Sequence, residues 1–218
     1  DPMSRPRSRL AIGALGAIAA VALAGCASTA PSSDTTDGAA SEEQHQGDTR
    51  IAVTYDGGVL VLDGETLETV GEVERGGFLR VNSAGDHDGH VFVTAEDGFH
   101  VLDSGLASDT VEFTGEVFEA VAAGHAVPHA GRTALFDDGT GDVRVFDTDA
   151  VGTGTLPEAD AFTSEAAHHG VALELSDGTM LSTIGTAEAR SGVRHLAADG
   201  AELARNEQCP SVHGEGAL

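Results

Sequence analysis

From residue 50 onward, short runs of alternating apolar and polar residues are separated by Asp-Gly and Gly-Gly pairs. Alternation with a period of two predicts strands with one buried face, and the glycine pairs predict tight turns between them. The first predicted strands cover residues 51–55, 59–63 and 70–73. No segment after residue 50 keeps a helical period, so the sequence predicts an all-β domain over residues 50–218.

Three similar units of strands follow along the chain. The predicted strands cover residues 78–82, 90–94, 99–103 and 110–113, then 125–129, 133–136 and 143–147, and then 169–175, 179–184, 193–196 and 202–204. The related segments VLVLD, FHVLD and VRVFD begin at residues 59, 99 and 143, at intervals of 40 and 44 residues. Such a repeat is typical of β-propeller blades, and about three to four blades are present. Since propellers close with about four to eight blades, we expect a truncated part of a longer propeller.

Histidines recur at one fixed interval within this repeat. His125, His169 and His213 are each separated by 44 residues. The first strand of every propeller blade lines the central channel, so equivalent residues of successive blades converge on one axis. Imidazole nitrogens that converge in this way are suitable ligands for Zn²⁺. The sequence therefore predicts a zinc site that contains these three histidines, each at the start of a strand.

Cys209 precedes His213 by four residues in the segment Cys209-Pro210-Ser211-Val212-His213. A thiolate and an imidazole at this spacing can bind one zinc ion if the chain bends at Pro210. Cys209 is therefore predicted as a fourth ligand. The alternative is a buried cysteine beside a histidine that is satisfied by other partners.

Two further histidines are alternatives at the same site. His168 would replace His169 if the register of the repeat shifted by one residue, because neighbouring strand residues face opposite ways. His129 lies four residues after His125 and would share its face of the strand. For both positions, the alternative is an ordinary core or surface histidine. The segment from Asp86 to His90 resembles the opening of a calcium loop, but it is interpreted as a hairpin turn because the later oxygen ligands are missing.

The N-terminal part of the chain has a different composition. Basic residues precede an apolar run over residues 10–23, which is too short to span a bilayer, and Leu23-Ala24-Gly25-Cys26 matches a lipobox. We therefore expect residues 1–26 to be a lipoprotein signal peptide with Cys26 as the lipidated residue. Residues 27–49 are rich in Ser, Thr, Asp and Glu and are expected to be a disordered linker. The predicted location is outside the cytoplasm, with a lipid anchor on the outer face of the cell membrane or in the periplasm.

The formal net charge of the chain is −25, and the sequence contains no lysine. Nucleic acid is therefore excluded as a partner, because phosphate binding requires a basic surface. The sequence contains no G-x-S-x-G segment, glycine-rich phosphate loop or H-E-x-x-H segment. These absences favour a protein that is not an enzyme.

Several segments together resemble the zinc metallochaperone AztD family over about residues 50–218. They are Tyr55-Asp56-Gly57-Gly58 with Leu60-Val61-Leu62-Asp63, residues 77–86, residues 136–141, His168-His169-Gly170-Val171-Ala172, and residues 209–215. The resemblance implies an extracytoplasmic β-propeller that binds Zn²⁺ through channel-facing residues. It also implies that the protein delivers zinc to the solute-binding protein of a zinc ABC importer.

Two other functions are compatible with a propeller fold. The first is a metal-dependent hydrolase of the lactonase type, although such an enzyme usually uses oxygen-rich calcium ligands rather than a thiol and imidazoles. The second is a metal-free propeller that binds other proteins. Zinc would leave the thermal stability of that protein unchanged, since only a ligand of the native state stabilises it.

Overall fold

A computed structural model describes residues 49–214 of the chain. These residues form four antiparallel sheets, A to D, and one short 3₁₀ helix at Thr148–Ala150. The predicted signal peptide, Cys26 and the linker before residue 49 lie outside the described residues. Within residues 49–214, no helix has the length and hydrophobicity needed to cross a membrane.

Each sheet is a meander in which strands that follow one another in the sequence pair side by side. Sheet A contains β1 (Arg50–Tyr55), β2 (Gly57–Asp63) and β3 (Thr69–Arg75). Sheet B contains β4 (Arg80–Ser83), β5 (His90–Ala95), β6 (Gly98–Ser104) and β7 (Val111–Glu119). Sheet C contains β8 (Ala123–His129), β9 (Arg132–Asp137), β10 (Asp142–Asp147) and β11 (Asp160–Thr163). Sheet D contains β12 (Ala172–Glu174), β13 (Met180–Gly185), β14 (Arg190–Leu196) and β15 (Glu202–Asn206).

The predicted all-β fold, a partial β-propeller, is confirmed. Sheet A contacts sheet B, sheet B contacts sheet C, and sheet C contacts sheet D. The three related sequence segments lie on β2, β6 and β10, so they are equivalent strands of successive blades. The outer strand that the sequence pattern did not locate is β11, and β15 is exposed along its whole length.

The prediction that each histidine begins a strand is wrong for His169 and His213. His169 lies three residues before β12, and His213 follows a turn after β15. The N–H groups between His169 and β12 bond to side chains: the N–H of Gly170 donates to Asp138, and that of Val171 donates to Thr183. The carbonyl of Val171 accepts the backbone N–H of Thr183, and regular pairing of β12 with β13 starts at Ala172.

Aromatic residues fill the core between sheets B and C. Phe92, Phe118 and Phe146 are each at most 2 % exposed and belong to one cluster. The rings of Phe118 and Phe146 are stacked with centroids 4.8 Å apart, and Phe92 meets both edge-on. The core between sheets A and B is aliphatic, with Val59, Val61 and Leu102 among its members. The interface of sheets B and C is therefore built on aromatic contacts, although aromatic residues make up only 4% of the chain.

The turn between β4 and β5 contains a buried ion pair. The Nδ1 atom of His90 lies 2.6 Å from Oδ2 of Asp86, and the backbone N–H of His90 donates to Oδ1 of the same carboxylate. Both side chains are less than a tenth exposed. The interpretation of this segment as a hairpin turn is confirmed, since β4 and β5 pair antiparallel on either side of it.

This pair makes stability depend on pH. The hydrogen bond that the His90 ring donates to Asp86 raises the pKa of His90 against the opposing effect of burial, and the charges of Asp86, Asp103 and Asp88 raise it further. The stabilisation is therefore complete below the unfolded pKa of about 6.5 and is lost as the pH rises through the higher folded pKa. We expect Asp86→Asn to lower the free energy of unfolding by about 1.5–3 kcal/mol near pH 6, and by less at higher pH.

Urea unfolding of the wild type and of Asp86→Asn, from about pH 6 upward, measures the loss in the free energy of unfolding. The matched control is Asp149→Asn, which removes the exposed contact between Asp149 and His87 and should change the free energy little at any pH. An equal, pH-independent loss in both variants would contradict the expectation.

Candidate metal centre

Three histidines from separate segments meet at one point. His125 lies in β8, His169 lies before β12, and His213 lies after β15. The Nε2 atom of His169 is 3.4 Å from Nε2 of His125 and 3.2 Å from Nε2 of His213. One ring nitrogen from each residue lies within 4.8 Å of the others. The convergence predicted from the 44-residue interval is therefore present in the structure.

Two of the three separations between these nitrogens match a tetrahedral zinc site. With Zn–N bonds of about 2.0–2.1 Å, two ligand nitrogens of a tetrahedron lie about 3.3–3.4 Å apart. The two observed separations, 3.2 and 3.4 Å, fall close to this value. His125 and His169 are half-buried, whereas His213 is exposed. The three residues could therefore hold one ion on a partly open surface.

Asp138 fixes the orientation of the central histidine. Its Oδ2 atom lies 2.5 Å from Nδ1 of His169, and its Oδ1 atom accepts the backbone N–H of Gly170 at 3.1 Å. A carboxylate on Nδ1 favours the tautomer that carries the proton there, which leaves the lone pair of Nε2 free for a metal. The sequence analysis did not identify Asp138 as part of the site. The neighbouring Asp137 accepts the backbone N–H groups of Val121, Ala122 and Gly139, so the two adjacent acids have different partners.

A glycine makes room for this carboxylate. A Cβ atom built on Gly124 would lie 2.1 Å from Oδ1 of Asp138. Gly124 directly precedes His125, and the pairing of β8 with β9 shifts register between Ala123 and Ala126. Two residues of β8 therefore oppose one residue of β9, which is a β-bulge. The bulge carries the first histidine, and its glycine lets the carboxylate of Asp138 approach the site.

The environment keeps the imidazole of His125 neutral. Burial is the main cause that lowers its pKa, to about 4, and the nearby His169, Arg80 and His213 act in the same direction against Asp138. Only the neutral ring offers a lone pair to a metal. His125 is therefore ready to bind an ion at neutral and mildly acidic pH.

Cys209 is not among the clustered ligand atoms of the described residues. Its backbone N–H donates to the carbonyl of Ser191, and its carbonyl accepts the N–H of Val212. The chain does turn at Pro210, as predicted for zinc binding by Cys209 and His213 together. Of these two residues, however, only His213 belongs to the cluster. Glu215 lies outside the described residues.

His168 and His129 lie away from the cluster. His168 is buried, with Nδ1 at 2.8 Å from the carbonyl of Ala166 and Nε2 at 2.8 Å from Oγ1 of Thr183. Its ring also packs edge-on against Phe136. His129 ends β8 opposite Arg132. Of the two neighbouring histidines, the structure thus places His169 in the cluster and His168 in the core.

Replacing Asp138 by alanine should weaken zinc binding by about 10- to 100-fold, the usual effect of losing a carboxylate that orients a ligand histidine. The ring of His169 would then lose the partner that fixes its tautomer and direction. Competition with a zinc chelator measures the change in affinity. The matched control is Asp142→Ala, an exposed acid on β10, which should leave the affinity within about twofold of the wild type. Equal weakening by both substitutions would point to net charge instead of orientation.

Comparison with known proteins agrees with this architecture. No protein-family model and no curated protein matches the sequence. The solved structure of apo AztD from Citrobacter koseri matches with a TM-score of 0.61 and 20% sequence identity, over 74% of this chain and 46% of that one. A second structure of Citrobacter koseri AztD matches with a TM-score of 0.58 and 20% identity, over 76% of this chain and 48% of that one.

The fold is that of a partial β-propeller, and it is AztD-like. The resemblance drawn from the sequence segments is thereby supported at the level of the fold. The chain spans about half the length of the AztD structures that it matches.

Proposed function

We propose that this protein is an extracytoplasmic zinc metallochaperone that carries Zn²⁺ as cargo on His125, His169 and His213. The observation that carries the proposal is the separation of their Nε2 atoms, 3.2 and 3.4 Å, which suits one tetrahedral zinc ion. The AztD-like fold supports the same class of function. The proposed recipient is the solute-binding protein of a zinc ABC importer, and lipidated Cys26 would hold the chaperone at the membrane.

The ligand set suits a cargo ion. Three neutral imidazoles leave the fourth position of a tetrahedron to water or to an incoming ligand. His213 is exposed, whereas His169 is held by Asp138. A ligand of the recipient would therefore enter at the open position and displace His213 first, and the two half-buried histidines would release the ion afterwards.

Zinc binding by the full 218-residue chain tests the proposal. A free zinc concentration of about 100 times the Kd would stabilise the native state by about 2.7 kcal/mol, which corresponds to an increase in Tm of roughly 5–10 °C. Calorimetric titration should also give one zinc ion per chain. The matched control is the triple variant His125→Ala, His169→Ala and His213→Ala, in which both signals should disappear. Wild-type affinity in that variant, or no zinc binding by the wild type, would contradict the proposal.

Delivery is tested by transfer of zinc from the loaded chain to the purified recipient. Transfer through direct contact predicts a rate that rises with recipient concentration and exceeds the spontaneous dissociation rate of zinc. A rate equal to spontaneous dissociation at every recipient concentration would remove the chaperone step and leave only zinc binding.

A further inference from the structure

We propose that Arg80 of sheet B is a positioning residue of the zinc site, which holds the bulged segment of β8 that carries His125. This inference rests on the proposed function, because it concerns the same three-histidine site. Arg80 contacts none of the three rings through a hydrogen bond that the structure shows between described residues. Its proposed action is therefore exerted through the backbone.

Arg80 donates two hydrogen bonds across the interface between sheets B and C. Its Nη2 atom lies 2.8 Å from the carbonyl oxygen of Ala123 and 3.1 Å from that of Gly124. These are the two carbonyls that precede His125, and both residues are buried. They lie where the pairing of β8 with β9 shifts register, and the guanidinium supplies a donor to both of these buried carbonyls.

The bulged segment is held from a second side by Asp138. The carboxylate of Asp138 packs so closely on Gly124 that no Cβ atom fits between them. Gly124 is thus contacted both by the guanidinium of Arg80, at its carbonyl, and by the carboxylate that orients His169. Since zinc ligands must keep their distances within about 0.2 Å, movement of this segment would misplace the nitrogen of His125.

The repeat places Arg80 in register with residues that directly precede the ligands. Counting 44 residues onward from position 80 leads to Gly124 and then to His168, which precede His125 and His169. Sheet B has Val81 at the position equivalent to a ligand histidine. This blade therefore supplies no imidazole, and its contribution to the site is the guanidinium that fixes the next blade.

Charge and position predict opposite effects when Arg80 is replaced. A guanidinium near the site repels a divalent cation, so electrostatics alone predicts that its removal strengthens zinc binding. Loss of the two backbone hydrogen bonds predicts weaker binding, because His125 is no longer held in place. The sign of the change in zinc affinity therefore separates the two roles.

The experiment compares Arg80→Met and Arg80→Lys in the full chain. We expect Arg80→Met to weaken zinc binding by about 10- to 100-fold. Its cobalt(II) complex should show weaker ligand-field absorption than the wild type, because those bands report the coordination geometry. Arg80→Lys keeps a donor that can reach both carbonyls and should recover the affinity to within about threefold of the wild type. The matched control is Arg144→Met, which removes the same charge from an exposed position of β10 and should leave affinity and spectrum unchanged.

The zinc affinities of these variants decide whether Arg80 positions His125. Unchanged or tighter zinc binding in Arg80→Met would overturn the positioning role, and so would a failure of Arg80→Lys to recover affinity. If circular dichroism shows that Arg80→Met does not fold, Arg80→Gln replaces it, and the same loss of zinc affinity is expected. A wild-type chain that binds no zinc would overturn the proposed function together with this inference. Zinc binding by the wild type with no loss in Arg80→Met would overturn the inference alone.

Discussion

His169→Ala should weaken zinc binding by more than about 100-fold, beyond the usual range for residues that only orient a ligand. The Nε2 atom of His169 is the one that lies near both other ligand nitrogens, at 3.4 Å from His125 and 3.2 Å from His213. Without His169, only the imidazoles of His125 and His213 remain to bind the ion. The substitution also leaves Asp138 without its imidazole partner. Competition against a chelator of known zinc affinity measures the loss.

His129→Ala is the matched control for this substitution. It removes the same side chain from the end of β8, four residues from His125 but outside the cluster. We expect its zinc affinity to stay within about twofold of the wild type, with an unchanged ratio of zinc to protein. Similar losses in the two variants would mean that zinc binds to histidines in general and that the three-nitrogen arrangement is not the site.

Phe92→Ala should lower the free energy of unfolding by about 3–5 kcal/mol, the usual cost of removing a fully buried aromatic ring. Phe92 has no exposed surface and meets both Phe118 and Phe146 at the interface of sheets B and C. A loss of this size is a large part of the roughly 5–15 kcal/mol that stabilises a typical domain. Chemical denaturation followed by circular dichroism measures it. Because Arg80 bonds to the two carbonyls before His125 across the same interface, zinc affinity should fall in parallel.

Phe78→Ala is the control for the loss of a phenyl ring. Phe78 is 82% exposed in the loop before β4, so its removal should change the free energy of unfolding by no more than about 0.5 kcal/mol. A destabilisation by Phe92→Ala below about 1 kcal/mol would mean that sheets B and C are held together by something other than the aromatic cluster.

The histidine cluster could be predicted from the sequence because a propeller converts an equal interval along the chain into proximity around an axis. That argument needs the repeat length alone, and it succeeded although the three histidines differ in local structure. The 44-residue interval selected His169 and left His168 as the alternative for a register shifted by one residue. The separation depends on Thr183 and the carbonyl of Ala166, which satisfy the ring of His168 in the core.

The supporting residues could not be predicted in the same way. Asp138 reaches His169 over 31 residues, and Arg80 reaches the carbonyl of Gly124 over 44 residues, so both contacts join different blades. Cys209 shows the opposite case: it lies only four residues before His213, but it is not part of the histidine cluster. The turn after Cys209 is fixed by backbone bonds to β14 through Ser191 and Arg190, and these bonds set where the thiol lies.

The exposed outer strand β15 has a practical consequence. The turn that enters it contains Gly200, where a built Cβ atom would meet nothing within 4 Å. All three imidazoles are carried instead by β8 and by the connections that precede β12 and follow β15. A fluorophore or an epitope tag grafted between Asp199 and Gly200 would therefore sit on a hairpin that carries none of the three histidines. The same position would serve to follow the proposed metal exchange by energy transfer.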